Sequence, residues 1–363
     1  MNTQTDSGKK QMLIFFCIAY ILPYLLGILM WYGYGKGIDL TAFPSAQMFY
    51  PAAGAIMAAL ITRRGDTLLP KRFFAGYLIL TLAMIACVIV SVILPDLNCA
   101  INIQYVIIAA CVAFLVLLLT EKKDKRAAYG LRGRCWKTAA QIVLLYILLY
   151  FIRTIAGYVA GGETPKMIEL ARTPMTWIVL ASLIPSYFIT IAAFFGEEYG
   201  WRYFLQPALQ KRLGMTRGIF AVGIIWGLWH LPINFFYYTS PSTGGVSVAG
   251  QLVTCITLGV FYGWAYMKTD NIWTVVILHF VNNNLVPVIT GNYSPDALKN
   301  QQMDWGNVLF LLIANTILFM GVIFTKYYKD SARRLPTMNE RADRLRQELS
   351  AAAAEPVAAA GEQ

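Results

Sequence analysis

Ala193-Phe194-Phe195-Gly196-Glu197-Glu198-Tyr199-Gly200-Trp201-Arg202-Tyr203-Phe204-Leu205 is an apolar and aromatic run that carries two carboxylates and a guanidinium. No other pair of acids in the chain has such surroundings. The remaining seventeen Asp and Glu fall in segments that read as connections, tails or segment ends. A charge in or beside lipid is costly, so ionisable groups there are functional candidates by default. In a helix, Glu198 and Arg202 are i and i+4, on one face and within reach of each other. Glu197 is turned about 100° away by the ~3.6-residue repeat. One acid is expected to have a fixed partner, and the other to be free for chemistry.

The composition around this stretch sets the fold class. Of 363 residues, 58% are hydrophobic and 13% charged, against roughly 25% charged in a soluble domain. This excludes a soluble domain and predicts an all-α, polytopic transmembrane helix bundle in the cell membrane. A bilayer core of ~30 Å takes about 20 apolar residues in helix. That ruler gives ten spans: 11–33, 47–62, 73–94, 103–120, 138–159, 177–196, 218–237, 248–267, 272–290 and 307–325. The first follows Lys9 and Lys10 as a signal peptide would. It runs too long for a cleavable apolar region, so it reads as a retained anchor.

The net charge of +11 would suit nucleic acid, but its distribution argues against that partner. With the N-terminus inside and ten alternating spans, 25 of the 30 Lys and Arg fall in inside segments. This asymmetry is the positive-inside pattern, with both termini cytoplasmic. The six cysteines lack metal-type spacing, and four of them lie in apolar runs, where small buried hydrophobes are expected. In the tail, Thr337 and Glu340 form a capping-box pattern. Met338, Ala342, Leu345 and Leu349 then mark an apolar stripe on a helix of about three turns, expected to be solvated or at the membrane surface. The alanine-rich end is expected to be disordered. The chain divides into N-terminal transmembrane helices (1–176), a core with the chemistry-bearing motifs (177–290), a last transmembrane helix (291–330) and a cytoplasmic tail (331–363).

Only two histidines occur, and both lie in apolar spans. His230 follows Trp226 by four residues; Asn283 follows His279 by four. Three spans thus each aim a polar pair from one face, and such faces turn inward because lipid cannot satisfy them. Taken singly, each has a bland reading: an interhelical hydrogen bond for the His, capping for the Asn cluster, a structural ion pair for Glu198–Arg202. Together they make a hydrolytic set: a carboxylate to activate water, imidazole to relay a proton, imidazole and amide to donate to an oxyanion.

Glu-Glu-x-x-x-Arg, aromatic-x-x-x-His and His-x-x-x-Asn, in this order on successive apolar regions, resemble the CPBP family of membrane endopeptidases. That family includes the CAAX prenyl endopeptidases and the bacteriocin-processing, Abi-type proteins. The resemblance covers residues 177–290. It departs where Trp226 stands in place of the more usual Phe, and in spans beyond an eight-helix core. It implies a glutamate-type intramembrane endopeptidase acting on a membrane-associated peptide or protein. Glu197 with His230 would activate water, His279 and Asn283 would form the oxyanion hole, and Glu198, Arg202 and Trp226 would brace the site, which is expected to open to the cytoplasmic side.

The rival chemistry is zinc held by Glu197, His230 and His279 with an open position. No His-Glu-x-x-His is present, and the metal-free reading is preferred. Two other functions stay open: a non-catalytic bacteriocin self-immunity or regulatory partner of the same fold, and a transporter. Depth sets a further condition. His230 lies thirteen residues past Arg217, about 20 Å at ~1.5 Å per residue. Glu197 can meet it only if its helix continues past residue 197, with Pro207 as a bend and Gly214 as a stop.

Overall fold

The computed structural model describes residues 2–97, 99–294 and 297–360. The chain is 82% helical, with no strand among the described residues. The helices long and apolar enough to cross a membrane are α1 (Ser7–Gly35), α2 (Ala42–Thr62), α3 (Lys71–Ile93), α4 (Asn102–Thr120) and α5 (Trp136–Ala160). They continue with α6 (Pro174–Leu213), α8 (Gly244–Thr269), α9 (Ile272–Thr290) and α10 (Trp305–Phe324). Between α6 and α8 lies α7, a pair (Met215–Trp229 and Leu231–Tyr238) bent by 42°. Counting α7, the described residues hold up to ten crossings, as hydropathy predicts. The chain is a multi-pass membrane protein.

The bundle is apolar outside and polar at selected points inside. Leu13, Leu148, Ile184 and Ile317 are more than half exposed, whereas Glu198, Arg202 and Asn315 are completely buried. Lipid accepts the first group and offers no hydrogen bond to the second. Cys111 and Cys255 are buried as expected, while Cys17 is exposed.

Two helices depart from the hydropathy boundaries, and both departures build the site. Helix α6 does not stop at residue 196. It continues as a π turn, Tyr199–Leu205, and then as Gln206–Leu213. Pro207 offers no N–H to the ladder, and the loosened π turn immediately precedes it. Gly214, at φ 82°, ends the helix. Gly196 and Gly200 let α2 approach: a Cβ at Gly196 would strike the Met48 carbonyl and Phe49, and one at Gly200 would strike Pro51. Such small-residue spacing allows close helix packing in membranes. Glu197 therefore lies deep in the bundle. Arg202 leaves the count of loop cations, which becomes 24 of 30.

Helix α7 breaks at His230 because Pro232 lacks the N–H that would reach the Leu228 carbonyl. The orphaned acceptor is met from another helix: Tyr24 Oη donates to Leu228 O at 2.7 Å. Gln47 Nε2 donates to the neighbouring Trp229 O at 2.9 Å.

The tail is docked rather than solvated. Helix α11 (Met338–Ala360) starts at the predicted box, with Thr337 N donating to Glu340 Oε2 at 2.8 Å and Glu340 N to Thr337 Oγ1 at 3.4 Å. Met338 and Ala342 are buried, Leu345 packs against the core, and Leu349 stays exposed. Ion pairs fasten α11 to the connection after α2 and to the last turn of α6: Arg63–Asp343 at 2.6 Å, Arg346–Asp66 at 2.7 Å and Lys211–Glu340 at 2.8 Å. Burial alone would raise the Asp66 carboxyl; hydrogen bonds from Arg346 and Tyr129 outweigh it and hold the group down to about 2. The expected disorder after Ser350 does not appear before Ala360, since alanine is the strongest helix former; residues 361–363 lie outside the described ones.

Candidate active site

The three motif helices converge on Glu198, which is 0% exposed. Its Oε2 accepts from Arg202 Nε at 3.0 Å, and its Oε1 faces His279 Nδ1 at 2.9 Å. The Arg202 guanidinium lies over the Trp226 ring at 4.8 Å and the Tyr262 ring at 5.7 Å. Glu197, one residue earlier, has a different neighbour: its Oε2 accepts from Trp226 Nε1 at 2.8 Å. Trp226 also presents its carbonyl to His230 Nδ1 at 2.9 Å, and its ring packs edge-on against His279 with centroids 5.5 Å apart. Trp226 is thus the hub that joins Glu197, His230 and His279.

Valence assigns the imidazole protons. A backbone carbonyl only accepts, so His230 carries a hydrogen on Nδ1, and in the neutral ring its Nε2 keeps a lone pair. A carboxylate also only accepts, so His279 donates from Nδ1 to Glu198. His279 Nε2 is then a lone pair in the neutral ring and a donor only in the doubly protonated one. An acid orienting the distal nitrogen of a histidine is the support that sequence reading did not find.

Asn283 is set by residues that sequence reading missed. Tyr146 Oη donates to Asn282 Oδ1 at 2.8 Å, and Tyr150 Oη to Asn282 O at 3.3 Å. Asn282 Nδ2 then donates to Asn283 Oδ1 at 3.0 Å. Among the described residues, Asn283 Nδ2 makes no hydrogen bond, which leaves an amide donor available. Tyr146 and Tyr150 are i and i+4 on α5, but aromatic residues at helical spacing in an apolar span read as packing. Phe194, edge-on to His279 at 5.3 Å, was hidden in the same way.

A cavity of about 640 Å³ is lined by Trp226, His230, His279 and Asn283 and also by Glu163, Lys166 and Gln301. Glu197 is 3% exposed and connects to the wall through Trp226. The cavity reaches the connections after α5 and α9. Helix α11 holds the connection after α2 and the last turn of α6, at the other ends of the helices. The cavity therefore extends toward the helix ends opposite those held by α11, whereas an opening on the tail side was expected. The cause is the helix order: Asn282 and Asn283 sit near the end of Ile272–Asn284 that leads away from α11.

Chemically, two oriented histidines presenting Nε2 resemble metal ligands with anchored distal nitrogens. Among the described residues, however, no group of three or more His, Cys, Asp or Glu is gathered to hold an ion. The Trp226 side chain touches all three candidate ligands: it donates to Glu197, and its ring lies 6.2 Å from that of His230 and 5.5 Å from that of His279.

Residues 177–285 match the model of the family described as Type II CAAX prenyl endopeptidase Rce1-like. The chain is also similar to CAAX prenyl protease 2 of Methanococcus maripaludis, with 25% identity over 146 residues, 39% of this chain and 52% of the relative. The match thus spans about half the length of that curated relative. No solved structure matches the chain. The helices that bear the three motifs are thus similar to the CAAX prenyl endopeptidases of the CPBP family of membrane endopeptidases.

Proposed function

We propose that this chain is an intramembrane endopeptidase that hydrolyses a peptide bond of a membrane-associated peptide or protein with water activated by Glu197. One observation carries the reading: the two adjacent acids have unlike partners. Glu198 is engaged by Arg202 and His279, whereas Glu197 accepts one indole N–H. In the reaction, water adds its oxygen to the scissile carbonyl carbon and gives its proton to Glu197. His230 Nε2, with its lone pair, holds the same water. The oxyanion takes hydrogen bonds from Asn283 Nδ2 and from His279 when its ring is doubly protonated. Collapse breaks the C–N bond, and the proton held by Glu197 passes to the leaving amine.

The metal-free form of this reading has its own test. Asn283→Ala is expected to slow hydrolysis by ~10²–10³, the usual loss for one oxyanion donor. Dialysis of the purified protein against a strong chelator is expected to leave its rate unchanged. Stoichiometric zinc, lost in step with activity and restored with it, would replace this mechanism by a metal-dependent one.

The side of the membrane is part of the proposal. The tail face carries the basic connections, which by the positive-inside asymmetry makes it cytoplasmic. The cavity then opens to the non-cytoplasmic side, and the substrate is presented from there. Single cysteines at positions 126 and 346 are expected to label from the cytoplasm, and those at 166 and 243 from the opposite side. Labelling of 126 and 166 from one side would refute this orientation.

A further inference from the structure

The cavity contains a cation that hydrolysis leaves unused. Arg153 lies on α5 within an apolar span, and its guanidinium lines the same cavity as His230 and His279. Its Nη1 donates to Asn315 Oδ1 at 3.2 Å, and its plane lies over the Tyr150 ring at 4.4 Å, with Phe319 at 5.8 Å. Among the described residues no carboxylate pairs with it. The other two charges on the wall, Lys166 and Glu163, face each other at 3.8 Å, so the uncompensated charge of the cavity is that of Arg153. An arginine at membrane depth is costly, and one without an acid marks a ligand path. Low-dielectric walls strengthen its pull on an anion, and the planar guanidinium matches a carboxylate in two-point contact. Its supports lead to the catalytic end: Tyr150, beneath the guanidinium, also donates to Asn282 O, and Asn282 donates to Asn283.

We propose that Arg153 is a specificity-determining residue that binds a carboxylate of the peptide substrate while the scissile bond lies at Glu197. The proposal rests on the endopeptidase reading. The carboxylate has two sources, a free C-terminus or an Asp or Glu side chain, and one experiment separates them.

The full-length Glu197→Gln protein, reconstituted in nanodiscs and immobilised, is offered three randomised apolar peptide pools. One has free C-termini, one has amidated C-termini, and one is amidated with a single internal Glu. Retained peptides are counted by mass spectrometry. One acid-bearing pool is expected to be retained roughly 10- to 100-fold over the plain amidated pool, the size of one charge-assisted hydrogen bond. Adding Arg153→Gln should erase that ratio without reducing retention of the amidated pool, an internal control for folding. Arg153→Lys should keep part of it. Enrichment of the free-acid pool identifies a C-terminal carboxylate; enrichment of the internal-Glu pool identifies a side chain. Absence of an acid preference, absence of retention, or a preference that survives Arg153→Gln would each overturn the proposal. Because retention needs no hydrolysis, an acid preference in a protein that cleaves nothing would refute the protease and leave the Arg153 site standing.

Discussion

Glu197→Gln is expected to lower hydrolysis by ~10²–10⁴-fold, the usual contribution of a positioned general base, while the protein inserts and unfolds as the wild type does. Glutamine keeps the shape of the side chain and retains an oxygen to accept from Trp226 Nε1, the contact that seats Glu197 at 2.8 Å. It loses the capacity to take a proton from water. The check is a whole-membrane comparison of cleavage fragments between cells carrying wild type and the variant, with thermal unfolding of both purified proteins. Fragments that persist unchanged in the variant would remove Glu197 from the chemistry. Fragments absent from both would favour the regulatory or transport alternatives.

Glu198→Gln is expected to fail differently. Glu198 is the countercharge of Arg202, and both side chains are completely buried. Removing one side of a buried pair costs ~3–5 kcal/mol, because the other charge is stranded. Arg202 is exposed to that cost, since its Nη2 already lacks a hydrogen-bond partner in the structure. The variant should therefore lose thermal stability or yield as well as activity. His279, whose Nδ1 lies 2.9 Å from Glu198 Oε1, would share one neutral amide oxygen with Arg202 in place of the carboxylate that orients it. The double variant Glu198→Leu/Arg202→Met, which offers no acceptor at position 198, separates the two effects. It should recover most of the stability, because no charge is orphaned, and should stay inactive, because His279 remains unanchored. Equal folding of Glu197→Gln and Glu198→Gln would refute the division of labour between the acids. Recovery of activity in the double variant would refute the orienting role of Glu198.

The sequence by itself determined the helical, membrane-spanning class and the partner of Glu198. Both follow from local rules: a bilayer admits long apolar helices because backbone polar groups must be satisfied within the segment, and i,i+4 places Glu198 against Arg202 whatever surrounds them. The same spacing named His230, His279 and Asn283. Hydropathy misplaced the end of α6, because averaging over a window treats Glu197, Glu198 and Arg202 as a loop. In the fold, each of these charges instead has a partner or a packed ring. Only tertiary structure decided that His279 turns its Nδ1 to Glu198, that Trp226 stands between Glu197 and the histidines, and that Tyr146 and Tyr150 hold Asn282. These contacts join α5, α6, α7 and α9 across separations of 29 to 136 residues, and no periodicity along one chain encodes them. Which helix ends the cavity reaches was likewise decided by packing. The cavity is lined by residues of α5, α7, α8, α9 and α10, while α11 is tied at the other helix ends, a property of how the helices lean on one another.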